Sequence, residues 1–418
     1  MNRIVSRLLF TAMLTGAGYL GASSEKAIAD EIEQMRLAAH QLAGAQLPLG
    51  LLDFDIDFLL GEGKGSGETD ISKTAFITRQ AGAAYSLAKY LAWSNDTSLI
   101  VPLQNLIATF GALSLPLSKL SAQRWIESTH LLSTPIGRYE LLATLGLLGL
   151  LYQPKGDGRL LSYERGYAAA WAGGTALALA AELEYFIATG DGRFAELRAG
   201  WLKGMQIRHV AGRGFRELPG SIEEANYANG ESWLALATYA ALFPADESLR
   251  ILLSDLDDYF LGKYAAEPDL QFYSWGTMAA AQRFAATSDP KFADFIAAQT
   301  SHFLDLKFTT AQQSENSCAL IEGFAAAASL LSKRGGQAEL LQRLNNRIQD
   351  EMVKNQALQI PHDAVQLDLG SGAFFRSPRL ARYAGAYLSG GGNLYARVDF
   401  TGHCLSALVE MQSISAPR

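Results

Sequence analysis

The chain has 418 residues, of which 49% are hydrophobic and 18% are charged, and its formal net charge at pH 7 is -7. A mildly acidic protein without a basic cluster is a poor partner for nucleic acid or for an anionic membrane surface, so we predict neither. The apolar content is sufficient for a packed core, and the length allows one large domain or two.

The first 29 residues have the layout of a secretory signal peptide. Two arginines precede the apolar stretch 8–22, and Ala27-Ile-Ala29 offers small residues for cleavage before Asp30. No later apolar run reaches the roughly 18 residues that a transmembrane helix requires. We therefore predict residues 1–29 as a signal peptide, followed by a mature chain without stable membrane insertion. Its predicted location is periplasmic or secreted, in a bacterium.

The mature chain has the pattern of helix pairs, each with an apolar helix followed by a more polar one. Apolar residues recur at spacings of three and four, as amphipathic helices require. The apolar helices are predicted at Ala75–Trp93, Gly166–Ala188, Glu231–Phe243, Phe272–Ala286 and Cys318–Ser332. Their polar partners are predicted at Ser98–Phe110, Arg193–His209, Leu249–Lys263, Lys291–Phe308 and Ala338–Val353.

A short polar turn separates the two helices of each pair. Four of these turns contain an aspartate, which is a good cap for the following helix. Glu31–Ala43 and Gly402–Met411 can supply a sixth pair if the two ends of the chain meet. We therefore predict an all-α fold, an (α/α)6 toroid of six helix hairpins closed by the N- and C-terminal helices. It forms a single domain over residues 30–418, and an open helical-repeat solenoid is the alternative.

In such a ring the first helices of all pairs run in the same direction, so the residues that precede them should surround one cavity. These segments are rich in carboxylates, amides, arginines and aromatic rings. Rings that stack on sugar faces, beside groups that bind hydroxyls, suit a carbohydrate, so we predict a polysaccharide ligand. The candidate substrate-binding residues are Arg79, Tyr163, Tyr227, Asn229, Tyr273, Trp275 and Arg397.

Four further side chains are candidates for acid–base catalysis: Glu231, Glu315, Asp399 and His403. Each has a structural alternative. The glutamates could cap helices, Asp399 could form a buried ion pair with Arg397 that closes the ring, and His403 could be a core histidine.

Two reaction types fit these candidates. In a hydrolase, two carboxylates such as Glu231 and Glu315 would flank the glycosidic bond. In an epimerase or lyase, Arg79 or Arg397 would neutralise a uronate carboxylate, and Glu231, His403 or Tyr273 would exchange the proton at C5.

No phosphate-binding glycine motif and no cluster with metal-ligand spacing occurs, so we predict no cofactor and no metal. Cys318 and Cys404 are the only cysteines. An oxidising compartment would allow them to form a disulfide, and two buried unpaired cysteines are the alternative.

Two short segments resemble a known family. Ala396-Arg397-Val-Asp399-Phe-Thr-Gly-His403 resembles the Ala-Arg-Trp-Asp-Tyr-x-x-x-His run near the C-terminus of D-glucuronyl C5-epimerases. Tyr227-Ala-Asn229-Gly-Glu231 is similar to the Asn-Gly start of one of their inner helices. The resemblance implies an (α/α)6 toroid and a polysaccharide that contains uronic acid.

Together these observations predict an exported carbohydrate-active protein that acts on a bacterial polysaccharide by epimerase-, lyase- or hydrolase-type chemistry. The alternative is a non-catalytic polysaccharide-binding or scaffold protein, with polysaccharide assembly and export proteins as its partners.

Overall fold

The computed structural model describes residues 21–53, 56–58, 76–116, 158–162, 171–217, 223–306, 314–368, 374–391 and 393–415. The first 20 residues of the predicted signal peptide and the candidate Tyr163 lie outside these ranges.

Twelve α-helices lie in the described residues. In chain order they are α1 (Gly21–Gly44), α2 (Ile77–Ser94), α3 (Ile100–Leu113), α4 (Ala172–Thr189), α5 (Ala195–Arg208), α6 (Asn226–Leu242), α7 (Glu247–Ala266), α8 (Leu270–Thr287), α9 (Pro290–Leu304), α10 (Cys318–Arg334), α11 (Ala338–Gln356) and α12 (Val398–Ser415).

The even-numbered helices form a closed inner ring. Helices α2, α4, α6, α8, α10 and α12 each pack against the next, and α12 packs against α2. Each inner helix also contacts its hairpin partner in the outer layer, and α1 contacts both α12 and α2 where the chain ends meet. The predicted (α/α)6 toroid, closed by the terminal helices, is confirmed.

Inner and outer helices differ because they are buried to different extents. In α4, every residue from Ala172 to Leu183 is buried, and most of these are alanine, glycine or leucine. Small side chains let six helices approach one another around a common axis. The outer helix α11 buries one face, through Leu344, Ile348 and Met352, and leaves its charged face in solvent.

The turns within the hairpins follow the predicted capping chemistry. Asp96, Asp246 and Asp289 each accept a hydrogen bond from a backbone N–H in the first turn of the following helix. Asn95 and Ser288 end their helices in the left-handed conformation. These turns lie at the end of the ring opposite the starts of the inner helices.

Seven short strands complete the described fold. They are β1 (Ile56–Asp57), β2 (Ser114–Pro116), β3 (Arg159–Leu161), β4 (Gln366–Asp368), β5 (Phe374–Arg376), β6 (Leu388–Gly390) and β7 (Asn393–Ala396). All the pairings are antiparallel, in the order β1-β7-β6, with β2-β3 and β4-β5 as separate ribbons. Strand β7 ends one residue before Arg397, so this sheet fixes the start of α12.

Of the two states predicted for the cysteines, a disulfide or two unpaired thiols, the structure has the disulfide. Cys318 and Cys404 are bonded, with their Cα atoms 4.7 Å apart, and the expectation of unpaired cysteines is wrong. The bond joins the first residue of α10 to the second turn of α12.

Helix α1 begins at Gly21 and continues through the predicted cleavage site after Ala29. Within the described part of the chain, no helix combines the length and hydropathy that a bilayer crossing needs.

Candidate functional site

The first turns of the six inner helices, with the residues just before them, lie at one end of the ring, and we call this end the mouth. Neighbouring helix starts touch all around it. A Cβ atom on Gly230 of α6 would lie 2.7 Å from Trp275 of α8, and Arg79 of α2 lies 3.5 Å from Asp399 of α12. Both contacts are possible because the inner helices run in the same direction, which places their first turns at the same end of the ring.

Glu231 projects from the second turn of α6, since that helix begins five residues earlier than predicted, at Asn226. Its side chain is 5% exposed and lies against the start of α4. A Cβ atom on Gly173 would be 1.9 Å from Glu231 Oε2, so only glycine leaves room for the carboxyl group. Among the described residues, no side chain or backbone group donates a hydrogen bond to it.

Burial raises the pKa of Glu231 to about 8, although the nearby His403 opposes the shift. Desolvation disfavours the charged form of a carboxyl group that has no hydrogen-bond donor. A pKa of about 8 corresponds to a mostly protonated carboxyl group at pH 7, the state that a general acid requires.

His403 lies one turn after Asp399 on α12, and its Nδ1 atom is 2.6 Å from Glu322 Oε2. Glu322 projects from α10 and is fully buried. Burial alone would lower the pKa of His403, but Glu322, Asp399 and Glu231 outweigh it and raise the pKa above the ordinary value. The ring of Trp275 lies 5.7 Å from that of His403 and forms the wall behind it.

Asp399 lies in the first turn of α12, where the helix dipole favours a negative charge. Arg397 binds both of its oxygens, with Nε 2.8 Å from Oδ1. Arg79 approaches from α2, and 37% of its side chain is exposed. Asp399 is thus held between two guanidinium groups at the edge of the mouth.

Aromatic residues form part of the rim of the mouth. Phe76 precedes α2 and Trp171 precedes α4, and their rings pack edge to face, 5.4 Å apart. Phe76 is 39% exposed, and Tyr227, one turn before Glu231, is 50% exposed. Partial burial raises the pKa of Tyr227, and the charges of Glu231, Asp269 and Asp399 raise it further.

Glu315 lies in a separate recess of the mouth. Its backbone pairs with Gly390, and the two segments enclose a cavity of about 370 Å³. The residues that line the cavity are Ser314, Glu315, Asn316, Ser389, Gly390, Asn393 and Phe400.

Two predicted substrate-binding residues face the core instead. Asn229 is fully buried, accepts a hydrogen bond from Phe215 N at 2.8 Å and donates one to Glu224 at 3.0 Å. Tyr273 is 1% exposed, and its hydroxyl is hydrogen-bonded to Thr300 in α9 at 2.9 Å. Both side chains are therefore engaged with the core in this structure, and their assignment to substrate binding stays a prediction.

Trp275 is 3% exposed and lies inside the ring rather than at its rim. Sequence reasoning missed Glu322, Phe76 and Trp171. The signal for Glu322 was available, because it is the one acidic residue within the apolar stretch Cys318–Ser332. A charged side chain on a buried helix face is costly unless a partner of opposite charge lies beside it.

Two solved structures are similar to this chain over most of its length. One is the GH76A alpha-1,6-mannanase from Salegentibacter sp. HEL1_6, with a TM-score of 0.56, 8% identity, and coverage of 91% of this chain and 99% of that chain. The other is an inactive variant of that mannanase, with two aspartates replaced by alanine, in complex with alpha-1,6-mannotetrose. It has a TM-score of 0.55, 9% identity, and coverage of 91% and 98%.

At these identities the likeness establishes the fold alone. No family model matches the chain, and no curated protein is similar to it in sequence. Both solved structures are mannanases rather than C5-epimerases, so the epimerase resemblance remains a prediction.

Proposed function

We propose that this chain is an exported carbohydrate-active enzyme that cleaves a glycosidic bond of a polysaccharide at the mouth of the ring, with Glu231 as the proton donor. The observation that carries the proposal is the Glu231 carboxyl group, which is buried beside Gly173 and has a pKa raised to about 8 by burial. A carboxylic acid that is neutral at pH 7 can protonate a leaving glycosidic oxygen.

A second carboxylate is needed on the other side of the sugar, and we assign Asp399 to it. Its side chain is 14% exposed, and both it and Glu231 act electrostatically on His403 and Tyr227. In this scheme Glu231 gives its proton to the leaving oxygen as the bond to the anomeric carbon breaks. A water molecule adds its oxygen to that carbon, and Asp399 takes up the proton that the water loses.

Sugar binding is assigned to the aromatic rim and to the recess around Glu315. Exposed rings at Phe76 and Tyr227 can stack on the apolar faces of sugars, whose hydroxyls then meet polar side chains. The recess offers hydroxyls, amides and a carboxylate above Phe400, the groups that bind sugar hydroxyls. Glu315 is exposed there, so we assign it to binding rather than to catalysis.

The mannanases with the same fold support a hydrolase over the other reaction types. Alpha-1,6-mannan is therefore the first substrate to test. A second candidate, a lyase or epimerase acting on uronates, is favoured by one observation. Arg79 and Arg397 place two guanidinium groups at the mouth, where Arg79 is partly exposed and could bind a uronate carboxylate.

Export is part of the proposal. The signal-like residues 1–29 predict it, and the Cys318–Cys404 disulfide suits an oxidising compartment.

The test compares Glu231→Gln with the wild type on alpha-1,6-mannan and on uronate-containing polysaccharides. We expect the variant to retain glycan binding and to lose about 10²- to 10⁴-fold in kcat, as removal of a general acid does. New reducing ends indicate hydrolysis, unsaturated ends a lyase, and deuterium incorporation at C5 an epimerase. Glu339→Gln, an exposed glutamate in the outer helix α11, is the matched control.

If the chain binds glycans from a broad panel but yields none of these products, the non-catalytic scaffold alternative would be favoured over an enzyme. Co-purification with polysaccharide assembly or export proteins would then be the next measurement.

A further inference from the structure

The contact between Glu322 and His403 fixes the orientation of the histidine ring. Nδ1 lies 2.6 Å from Glu322 Oε2, on the side of the ring that faces α10. Nε2 is on the other side, has no partner among the described residues, and belongs to a side chain that is 24% exposed. The imidazole therefore bridges a fully buried carboxylate and the open mouth.

His403 is the one hydrogen-bond partner of the Glu322 carboxyl group among the described residues. The Glu322 side chain has no exposed surface, and its other oxygen, Oε1, has no hydrogen-bond partner in the described structure. A buried carboxylate needs a compensating positive charge. Among the described residues, two cationic side chains interact with Glu322: His403, in direct contact, and Lys89 of α2.

Lys89 is already paired. Its Nζ atom is 2.5 Å from Glu410 Oε1 and 3.0 Å from Ser406 Oγ, both on α12. Tyr85 lies beside it, with its ring 5.4 Å from Nζ. The Lys89–Glu410 pair is close to neutral as a unit, which leaves His403 as the counter-charge of Glu322.

The other groups that act on His403 are also identified. Asp399 precedes it by one turn on α12, Glu231 approaches from α6, and Trp275 of α8 covers the ring. Of the two carboxyl groups, Asp399 has its own partners in Arg397 and Arg79. Glu231 has no such partner among the described residues, and His403 is the one cation that acts on it.

We propose that Glu322 is a positioning residue that holds His403 as an imidazolium beside Glu231, with Nε2–H directed into the mouth. The inference rests on the proposed role of Glu231 as proton donor and adds a second component to it. When Glu231 gives its proton to the leaving oxygen, a carboxylate forms in a buried place. The fixed imidazolium stabilises that new negative charge, as preorganised charges do in active sites.

The first measurement needs no substrate. Ring ¹⁵N chemical shifts of His403, in the full-length mature chain, should show both nitrogens protonated at neutral pH. In Glu322→Gln the ring should lose its proton at lower pH than in the wild type, and Glu322→Asp, which keeps the charge, should restore much of the difference. Glu182→Gln, which removes another fully buried glutamate, one that is paired with Arg198, should leave the titration of His403 unchanged.

The second measurement is kinetic. Glu322→Gln should lower kcat by at least about tenfold with KM nearly unchanged, since the stabilised charge appears only in the transition state.

A neutral His403 ring in the wild type at pH 7, or a titration unaffected by Glu322→Gln, would overturn the inference. An inactive wild-type chain with the expected ¹⁵N shifts would instead overturn the proposed function and leave the assignment of Glu322 intact.

Discussion

At the scale of single residues, the site depends on two glutamates whose surroundings differ. The carboxyl group of Glu231 lies against Gly173 and accepts no hydrogen bond from the described residues. Burial raises its pKa to about 8. Glu322 is just as deeply buried but is bound by His403. The two glutamates thus differ in their partners, and we propose an acid role for Glu231 and a positioning role for Glu322.

The raised pKa of Glu231 predicts a pH-dependent cost in stability. Between the ordinary value of 4.5 and about 8, the folded chain binds one proton more than the unfolded chain. The free energy of unfolding therefore falls as pH rises through this window. The Glu231→Gln variant has no carboxyl group at this position, so its free energy of unfolding should not fall for this reason. Its stability relative to the wild type should rise from pH 4.5 to 8, by up to roughly 4–5 kcal/mol at about 1.4 kcal/mol per pKa unit.

Urea unfolding of both proteins at several pH values measures this difference. Glu339→Gln, which is solvent-exposed, should show a difference that does not vary with pH. A flat curve for Glu231→Gln as well would mean that Glu231 is ionised in the folded chain at pH 7.

The sequence predicted which residues lie near one another where position along a helix was enough, and the role of these residues stays a prediction. Arg79, Tyr227, Glu231, Asp399 and His403 come together because they share the starts of parallel helices. Asn229 and Tyr273 are buried in the core instead, because the pattern shows the spacing of side chains but not which side of a helix start faces the cavity.

At the scale of elements, helix type was predicted well and helix starts less well. The five predicted inner helices all exist, but α6 begins at Asn226 rather than Glu231, and α4 begins at Ala172 rather than Gly166. Polar residues such as those in Asn226-Tyr-Ala-Asn229 obscure a helix start because they also occur in loops. The disulfide could not be decided either, because cysteine spacing does not reveal which helices are neighbours in the ring.

Removal of the disulfide should destabilise the ring at the contact between α10 and α12. The two cysteines are 86 residues apart, and closing a loop of that length in the unfolded chain corresponds to roughly 4.6 kcal/mol in the chain-entropy account. We expect Cys318→Ala/Cys404→Ala to unfold at clearly lower denaturant concentration than the oxidised wild type. Reduced wild type is the control and should behave like the variant, and equal midpoints for all three would refute a stabilising role.

At the scale of the whole molecule, the toroid was predictable because repetition in the sequence reflects repetition in the structure. Six helix pairs can bury their apolar first helices by closing around an axis. The two terminal helices, which had no partner within the repeats, supplied the sixth pair. The reaction was not predictable to the same degree. Many unrelated chemistries use one fold, and the substrate is recognised by side chains that repetition does not specify.

Export predicts the size of the mature protein. Mass spectrometry of chain purified from the periplasm or culture medium of a bacterial host should give an N-terminus at or near Asp30. Such a chain would retain most of α1, including Gln34 and Met35, which are in the contact region of that helix. An intact Met1 in a cytoplasmic fraction would contradict the predicted location.

The position of the disulfide has a consequence for when the protein becomes active. Cys318 lies one helical turn before Glu322, and Cys404 directly follows His403, so the bond secures the two helices that carry this pair. A newly made chain in a reducing cytoplasm would lack the bond and hold the histidine loosely. If the chain is exported as proposed, the bond would form only after translocation, and the Glu322–His403 contact would be secured only there.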